Sequence, residues 1–173
     1  MRSSVGTISF AAIFLSLAAL FATPVIGLTA VEKAERDEIV FAPSNDPQMN
    51  AAMRAARSSL PDFLAIISMP NRSLTSSALK IRMREDEQTE YLWVNPFKQT
   101  KDGLIGIVNN TPRLLIGVKD GDQIEFPERD VVDWMYVENG KMFGNYTGCV
   151  LLRKRPRSEQ AEFKQKFGLD CSR

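Results

Sequence analysis

The chain has 173 residues, of which 44% are hydrophobic and 25% are charged, and its formal net charge is +1 at pH 7. This is the composition of an ordinary globular domain, and such a small net charge gives no overall basic field for nucleic acid. The sequence contains no histidine, which removes a common metal ligand and general base. We therefore predict no nucleic-acid partner, no metal site and no cofactor.

The N-terminal segment predicts export. Arg2 precedes an apolar run over residues 8–22, and Pro24 follows it. Because the run is shorter than the roughly 20 residues that a spanning helix needs, a cleaved signal peptide over residues 1–27 is favoured over an uncleaved anchor. Cleavage after Ala30 is the alternative. We expect a periplasmic or secreted protein with no stable membrane span after cleavage, a linker over residues 28–46 and a single domain over residues 47–173.

The first predicted element of that domain is an amphipathic helix. Asp46 is suited to cap it and Pro47 to occupy its first position. Pro61 either kinks this helix or begins a second one, and an apolar stripe continues to Met69. The stripe begins with side chains spaced by four, three and four residues: Met49, Met53, Ala56 and Leu60. We predict that this helix unit covers a sheet.

Short strands follow the helix unit. A polar loop leads to residues 78–84, whose alternating pattern predicts a hairpin with residues 89–97. Further strands are predicted at residues 103–110, 113–118 and 123–126, then a hairpin over residues 130–152 and a helix from Ser158 to Gly168. The predicted fold class is α+β, with the N-terminal helix unit packed on a bent antiparallel sheet or a small partly open β-barrel of about six or seven strands.

The last hairpin contains a turn signal that fixes its register. Asn139-Gly140 is the preferred pair for a two-residue type I′ turn. With that turn, Trp134 lies opposite Asn145 and Asp133 lies opposite Tyr146. We therefore expect a hydrogen bond between the Asp133 carboxylate and the Tyr146 hydroxyl group.

Two cysteines, Cys149 and Cys171, are separated by 22 positions. In an oxidising compartment they are able to form one disulfide that ties the C-terminal tail to the sheet. The alternative is two free cysteines, one buried in a strand and one near the terminus.

Three segments resemble the motifs of the bacterial domain-of-unknown-function family 2314: VVDWMYVENGKMFGNYTGCVLL, the preceding VKDGDQIEF and the earlier TEYLWVNPF. The resemblance runs from about Met49 to Leu152. It implies no biochemical activity, because none is assigned to the family; the occurrence of such domains in ankyrin-repeat proteins suits an interaction module. Where the family has a basic or aliphatic pair after Thr147, this chain has Gly148-Cys149, a departure that favours a local disulfide.

These observations predict an exported, non-catalytic binding or accessory module whose aromatic hairpin face or loop rim meets an unknown protein or envelope ligand. A flat or grooved apolar patch would support that interpretation, whereas a pocket with converging polar groups would support an enzyme. The alternative function is a small envelope hydrolase that uses Asp133 with Tyr146 or Ser77. The candidate binding residues are Asp133, Trp134, Tyr136, Asn145, Tyr146 and Thr147.

Overall fold

The computed structural model describes residues 46–70 and 72–172, so the predicted signal peptide and almost all of the predicted linker lie outside the described residues. None of the helices in this part of the chain is long and apolar enough to cross a membrane. The elements in chain order are α1 (Pro47–Ser58), α2 (Leu60–Ile67), β1 (Leu74–Glu85), β2 (Gln88–Gln99), β3 (Leu104–Val108), β4 (Gln123–Phe126), a 3₁₀ turn (Glu128–Asp130), β5 (Val131–Glu138), β6 (Lys141–Gly144), α3 (Tyr146–Leu152) and α4 (Arg157–Phe167).

The N-terminal helices begin where the sequence predicts. The Asp46 carboxylate accepts the backbone N–H groups of Gln48 at 2.9 Å and Met49 at 3.2 Å, which satisfies two donors that have no partner within the first turn. Pro47 is the first residue of α1. Pro61 lies in the first turn of a separate helix, α2, rather than within a kink. The two helices bury Met49, Ala56, Leu60, Phe63 and Leu64.

The described strands form one antiparallel sheet of six strands in the order β4-β3-β2-β1-β5-β6. The sheet is not closed, because β4 and β6 remain as its two edges. In a flat sheet β1 and β4 would lie about 14 Å apart, yet residues of both strands line one cleft of about 310 Å³. The sheet is therefore strongly bent, and the predicted α+β fold class is confirmed.

One core cluster occupies the inner face of this sheet. It combines side chains from both N-terminal helices with side chains from five of the described strands. Phe63 of α2, Leu79 of β1, Leu92 of β2 and Val94 of β2 are completely buried in it. The helix unit therefore covers the sheet as predicted.

The strand predicted at residues 113–118 is wrong. These residues form a loop, because their backbone N–H groups donate to the carboxylates of Glu85 and Glu90 instead of to a neighbouring strand. The predicted start of the first strand is also late. β1 begins at Leu74, so Ser77 lies within a strand and not in a polar loop.

The last hairpin follows the predicted register near its turn. Asn139 and Gly140 have φ values of 52° and 70°, as a type I′ turn requires. Four residue pairs then match the prediction: Glu138↔Lys141, Val137↔Met142, Tyr136↔Phe143 and Met135↔Gly144.

Beyond Gly144 the predicted pairing is wrong. Gly144 and Asn145 both take left-handed backbone conformations, with φ values of 77° and 53°, and the chain then enters α3 instead of continuing β6. Gly144 is required for close approach, because a Cβ atom there would overlap the Trp134 carbonyl oxygen. Asp133 and Tyr146 are consequently not cross-strand partners.

The sulfur atoms of Cys149 in α3 and Cys171 in the C-terminal tail lie at disulfide-bonding distance, with their Cα atoms 5.3 Å apart. Both cysteines are buried with Leu152 and Leu169 in a small apolar cluster separate from the main core. The tail that follows the last helix, which ends at Gly168 as predicted, is thereby held against α3.

We expect that replacing both cysteines by alanine will lower the free energy of unfolding. A bond that closes a loop of this length lowers the conformational entropy of the unfolded chain, which raises the free energy of unfolding by about 3 kcal/mol. Urea denaturation of the wild-type protein and of the Cys149→Ala/Cys171→Ala variant measures the difference. Reductant should destabilise the wild-type protein and leave the variant unchanged; equal stability of the oxidised and fully reduced wild-type protein would contradict the prediction.

Candidate functional site

Asp133 is the most completely enclosed of the predicted site residues, with no exposed surface. Its Oδ1 atom accepts the backbone N–H groups of Trp134 at 2.9 Å and Tyr146 at 3.1 Å. Its Oδ2 atom accepts the backbone N–H of Thr147 at 2.7 Å and the Thr147 hydroxyl at 2.6 Å. Both carboxylate oxygens are therefore engaged by neighbouring donors.

These bonds make Asp133 the cap of α3. Asn145, the residue that precedes the helix, makes no side-chain capping bond. The Asp133 carboxylate, supplied by β5, takes over that role for the first two residues of the helix. A negative charge at a helix N-terminus is also favoured by the helix dipole. Asp133 thus joins the sheet to the C-terminal helices.

Lys80 of β1 lies directly across from Asp133 in the sheet. Its ammonium group donates to the Thr147 hydroxyl oxygen at 3.1 Å and lies 4.6 Å from the centre of the Trp93 ring. The Thr147 hydroxyl therefore bridges the two charged groups, since it accepts from Lys80 and donates to Asp133. Lys80 as a whole remains partly exposed, but its ammonium group is flanked by the ring and the hydroxyl.

Burial opposes the charge of both groups. It raises the pKa of Asp133, although the Lys80 charge and the hydrogen bonds from Thr147 and Trp134 act in the opposite direction. Burial likewise lowers the pKa of Lys80, against the attraction of the Asp133 charge. The Thr147 hydroxyl is itself buried. The cluster of Lys80, Asp133 and Thr147 is a closed structural network with no carboxylate oxygen open to a substrate.

Trp134 and Tyr136 lie in the core instead of on a binding surface. Their exposed fractions are 6% and 5%. The Trp134 ring stacks on Phe63 with 4.9 Å between ring centres, and its indole N–H donates to the Ala56 carbonyl at 2.9 Å. The Tyr136 ring stacks on Phe143 with 4.8 Å between ring centres. The aromatic hairpin face therefore packs the helix unit against the sheet.

The predicted contact between the Tyr146 hydroxyl and Asp133 is wrong, since only the backbone N–H of Tyr146 reaches the carboxylate. The Tyr146 hydroxyl lies 3.2 Å from the Ser59 hydroxyl, in the junction between α1 and α2. Its ring meets the Trp134 ring edge-on at 5.5 Å. Tyr146 thus attaches α3 to the N-terminal helices.

The other two predicted residues are also separated from the Asp133 carboxylate. Asn145 donates from its side-chain amide to the Met142 sulfur at 3.5 Å. Ser77 lies opposite Tyr136 in the sheet, whereas Asp133 lies opposite Lys80. The register therefore does not bring Ser77 to Asp133.

A second feature, which the sequence analysis missed, is the loop of residues 113–117. Glu90 is completely buried, and its carboxylate accepts the backbone N–H groups of Arg113, Leu114 and Leu115 at 2.9–3.3 Å. One sequence signal pointed to it: Glu90 alternates with Leu92 on the core-facing side of β2, where a carboxylate needs buried donors.

Glu85 completes the attachment of this loop. Its carboxylate accepts the backbone N–H groups of Ile116 at 2.5 Å and Gly117 at 3.0 Å. Leu115 is buried, whereas Ile116 is 96% exposed and Leu114 is 36% exposed. The loop is therefore tied to β1 and β2 by the hydrogen bonds of five backbone N–H groups, while two of its apolar side chains are exposed to solvent.

No three His, Cys, Asp or Glu side chains of residues 46–70 and 72–172 are arranged to hold a metal ion.

Comparison with known proteins identifies the family. Residues 46–171 match the family described as "Uncharacterized protein conserved in bacteria (DUF2314)". The chain belongs to the DUF2314 family. The match covers every helix and strand described above, and no solved structure matches the chain.

Two bacterial relatives are similar to this DUF2314 protein. "Uncharacterized protein YegJ" of Escherichia coli (strain K12) is 27% identical over 155 residues, which cover 90% of this chain and 97% of the relative. "Putative ankyrin repeat protein NMB1133/NMB1171" of Neisseria meningitidis serogroup B (strain ATCC BAA-335 / MC58) is 25% identical over 140 residues, which cover 76% of this chain and 55% of the relative. The chain thus spans about half the length of the second relative.

The Asp133 network predicts a specific pattern of energetic coupling. Thr147→Val removes the hydroxyl that Asp133 and Lys80 share, so it and Asp133→Asn should each lower the free energy of unfolding by about 1–3 kcal/mol and be strongly non-additive when combined. Tyr146→Phe removes only the contact with Ser59 and should be additive with Asp133→Asn. Urea denaturation of the three single and two double variants tests this. Additivity between Asp133→Asn and Thr147→Val would refute the network.

Proposed function

We propose that this protein is an exported, non-catalytic binding module that engages another protein through the loop of residues 113–117. The observation that carries the proposal is the attachment of five consecutive backbone N–H groups to the carboxylates of Glu85 and Glu90, beside a nearly fully exposed Ile116.

Pre-organisation is the physical reason for assigning binding to this loop. A flexible loop loses conformational entropy when it docks, and that loss weakens binding. Here the backbone is already fixed, and the buried Leu115 anchors its centre in the core. The flanking Leu114 and Ile116 supply exposed apolar contact area. Exposed apolar side chains of this kind fit an apolar recess on a folded partner, because a few residues near the centre of an interface carry most of its binding energy.

Export is supported by the N-terminal sequence and by the cysteines. Arg2 followed by the apolar run over residues 8–22 is the pattern of a signal peptide. Cys149 and Cys171 lie at disulfide-bonding distance, and disulfides persist mainly in oxidising compartments outside the cytoplasm. Both features favour a periplasmic or secreted protein whose partner is another protein of the envelope.

The hydrolase alternative has less support. A general base must reach the proton that it abstracts, but Asp133 is completely buried and both of its oxygens accept hydrogen bonds. Tyr146 directs its hydroxyl to Ser59. Ser77 lies opposite Tyr136 within the sheet. These contacts suit a structural network better than an acid–base pair.

We expect the protein recovered from its natural host to begin near Leu28 or Val31 and to lie outside the cytoplasm, because a signal peptidase removes the apolar segment. Intact-mass measurement on periplasmic or culture fractions and on cytoplasmic fractions checks this. Recovery of the chain with Met1 intact from the soluble cytoplasmic fraction would contradict export.

The second expectation concerns Ile116. Replacing it by serine should leave the thermal midpoint unchanged, because the side chain is solvated, but should weaken capture of an envelope partner at least tenfold if Ile116 is a central anchor. Met69→Ser is the matched control, since Met69 is also an exposed apolar residue, at 51%, and lies outside the loop. Affinity capture from envelope extract, followed by titration of the captured protein, gives the comparison. Equal loss in both variants, or in neither, would refute a role for the loop.

A further inference from the structure

Four arginines from two elements meet at one cleft of about 310 Å³. Arg54 and Arg57 belong to α1, and Arg82 and Arg84 belong to β1. The remaining described residues that line the cleft are uncharged: Asn50, Met53, Thr89 and Tyr91. The cleft is thus basic and open to solvent, and its described lining contains no carboxylate.

The secondary structure explains why these side chains converge. Residues three apart share one face of a helix, so Arg54 and Arg57 project from the same side of α1. Residues two apart share one face of a strand, so Arg82 and Arg84 project from the same side of β1. That side is opposite to the face of the strand that carries the buried Ile81. The fold therefore faces two arginine pairs toward one another across the cleft.

Compensation of this positive charge within the protein is slight. Arg82 lies 3.9 Å from Asp130, and both side chains are about one third exposed, so that pair is weak. The Arg57 Nε donates to the neutral Val131 carbonyl at 3.0 Å, which orients the guanidinium group but does not neutralise it. Helix α1 contains no acidic residue. Since the whole chain has a net charge of only +1, the cleft is a local concentration of positive charge.

We propose that this arginine cleft, formed by Arg54, Arg57, Arg82 and Arg84, binds a phosphate-bearing ligand. A guanidinium group donates two parallel hydrogen bonds to phosphate oxygens, and a doubly charged group relieves the repulsion among several arginines better than one negative charge does. The amide of Asn50 and the hydroxyls of Thr89 and Tyr91 supply additional donors at the cleft. The volume lies at the low end for ligand pockets. It suits one phosphate group with a small substituent.

Isothermal titration calorimetry tests the site, with inorganic phosphate as the ligand, chloride as the comparison anion and the ionic strength held fixed. The Arg54→Gln/Arg84→Gln variant is informative because both side chains are exposed and the fold should survive. The matched control is Lys101→Gln/Lys141→Gln, which removes the same charge from exposed positions outside the described lining. All proteins carry the complete sequence and are prepared identically. We expect at least tenfold weaker phosphate binding in the arginine variant, unchanged affinity in the control and equal thermal midpoints.

A sedimentation assay with vesicles of phosphatidylglycerol and phosphatidylcholine distinguishes a lipid headgroup from a soluble phosphate. Loss of vesicle binding in the arginine variant but not in the lysine variant supports the site with a lipid headgroup as its ligand. Loss of inorganic phosphate binding alone, again only in the arginine variant, supports a soluble phosphate as the ligand. Equal weakening in the arginine and lysine variants would overturn the proposal, because it would reflect general charge. Absence of saturable binding to either probe, or tighter binding of citrate than of phosphate, would also overturn it.

Discussion

The buried carboxylate of Asp133 is the interaction on which the C-terminal half of the fold depends. A fully buried carboxylate is costly unless donors surround it. Besides the Trp134 N–H, the donors that surround this one are the first backbone groups of α3 and the Thr147 hydroxyl. The chain after β6 therefore turns into a helix beside β5 instead of extending the sheet. That turn places Cys149 within reach of the C-terminal tail and places the Tyr146 hydroxyl beside Ser59 of the helix unit.

Elements specified by neighbouring residues were predictable from the sequence. The start of α1 at Asp46 and Pro47, the turn at Asn139-Gly140 and the end of α4 at Gly168 all follow from local backbone preferences. The errors arose where a distant group decides the local structure. The mostly apolar run of residues 113–118 suits a strand, but the carboxylates of Glu85 and Glu90 take the hydrogen bonds that a strand would need.

The same distinction applies to the candidate site. Asp133 and Thr147 do lie together, but they meet through the N-terminus of a helix that the hairpin pattern concealed. Trp134 and Tyr136 were predicted as binding residues on a surface, because alternation along a strand separates its two faces without identifying which face is buried. Helix α2 covers the face that carries both side chains. Pairing of the cysteines required the tail and α3 to meet, which no local pattern specifies.

The β1–β2 hairpin contributes residues to both the arginine cleft and the attachment of the loop of residues 113–117. Its outer side carries Arg82 and Arg84 at the arginine cleft, while Glu85 and Glu90 attach the loop of residues 113–117 to the same two strands. A movement of the hairpin tip would therefore be transmitted to the loop through the hydrogen bonds of five backbone N–H groups. Thermodynamic linkage makes any such coupling reciprocal. An occupant of the cleft that shifted the tip would change the affinity of the loop for its partner, and the partner would change the affinity of the cleft by the same factor.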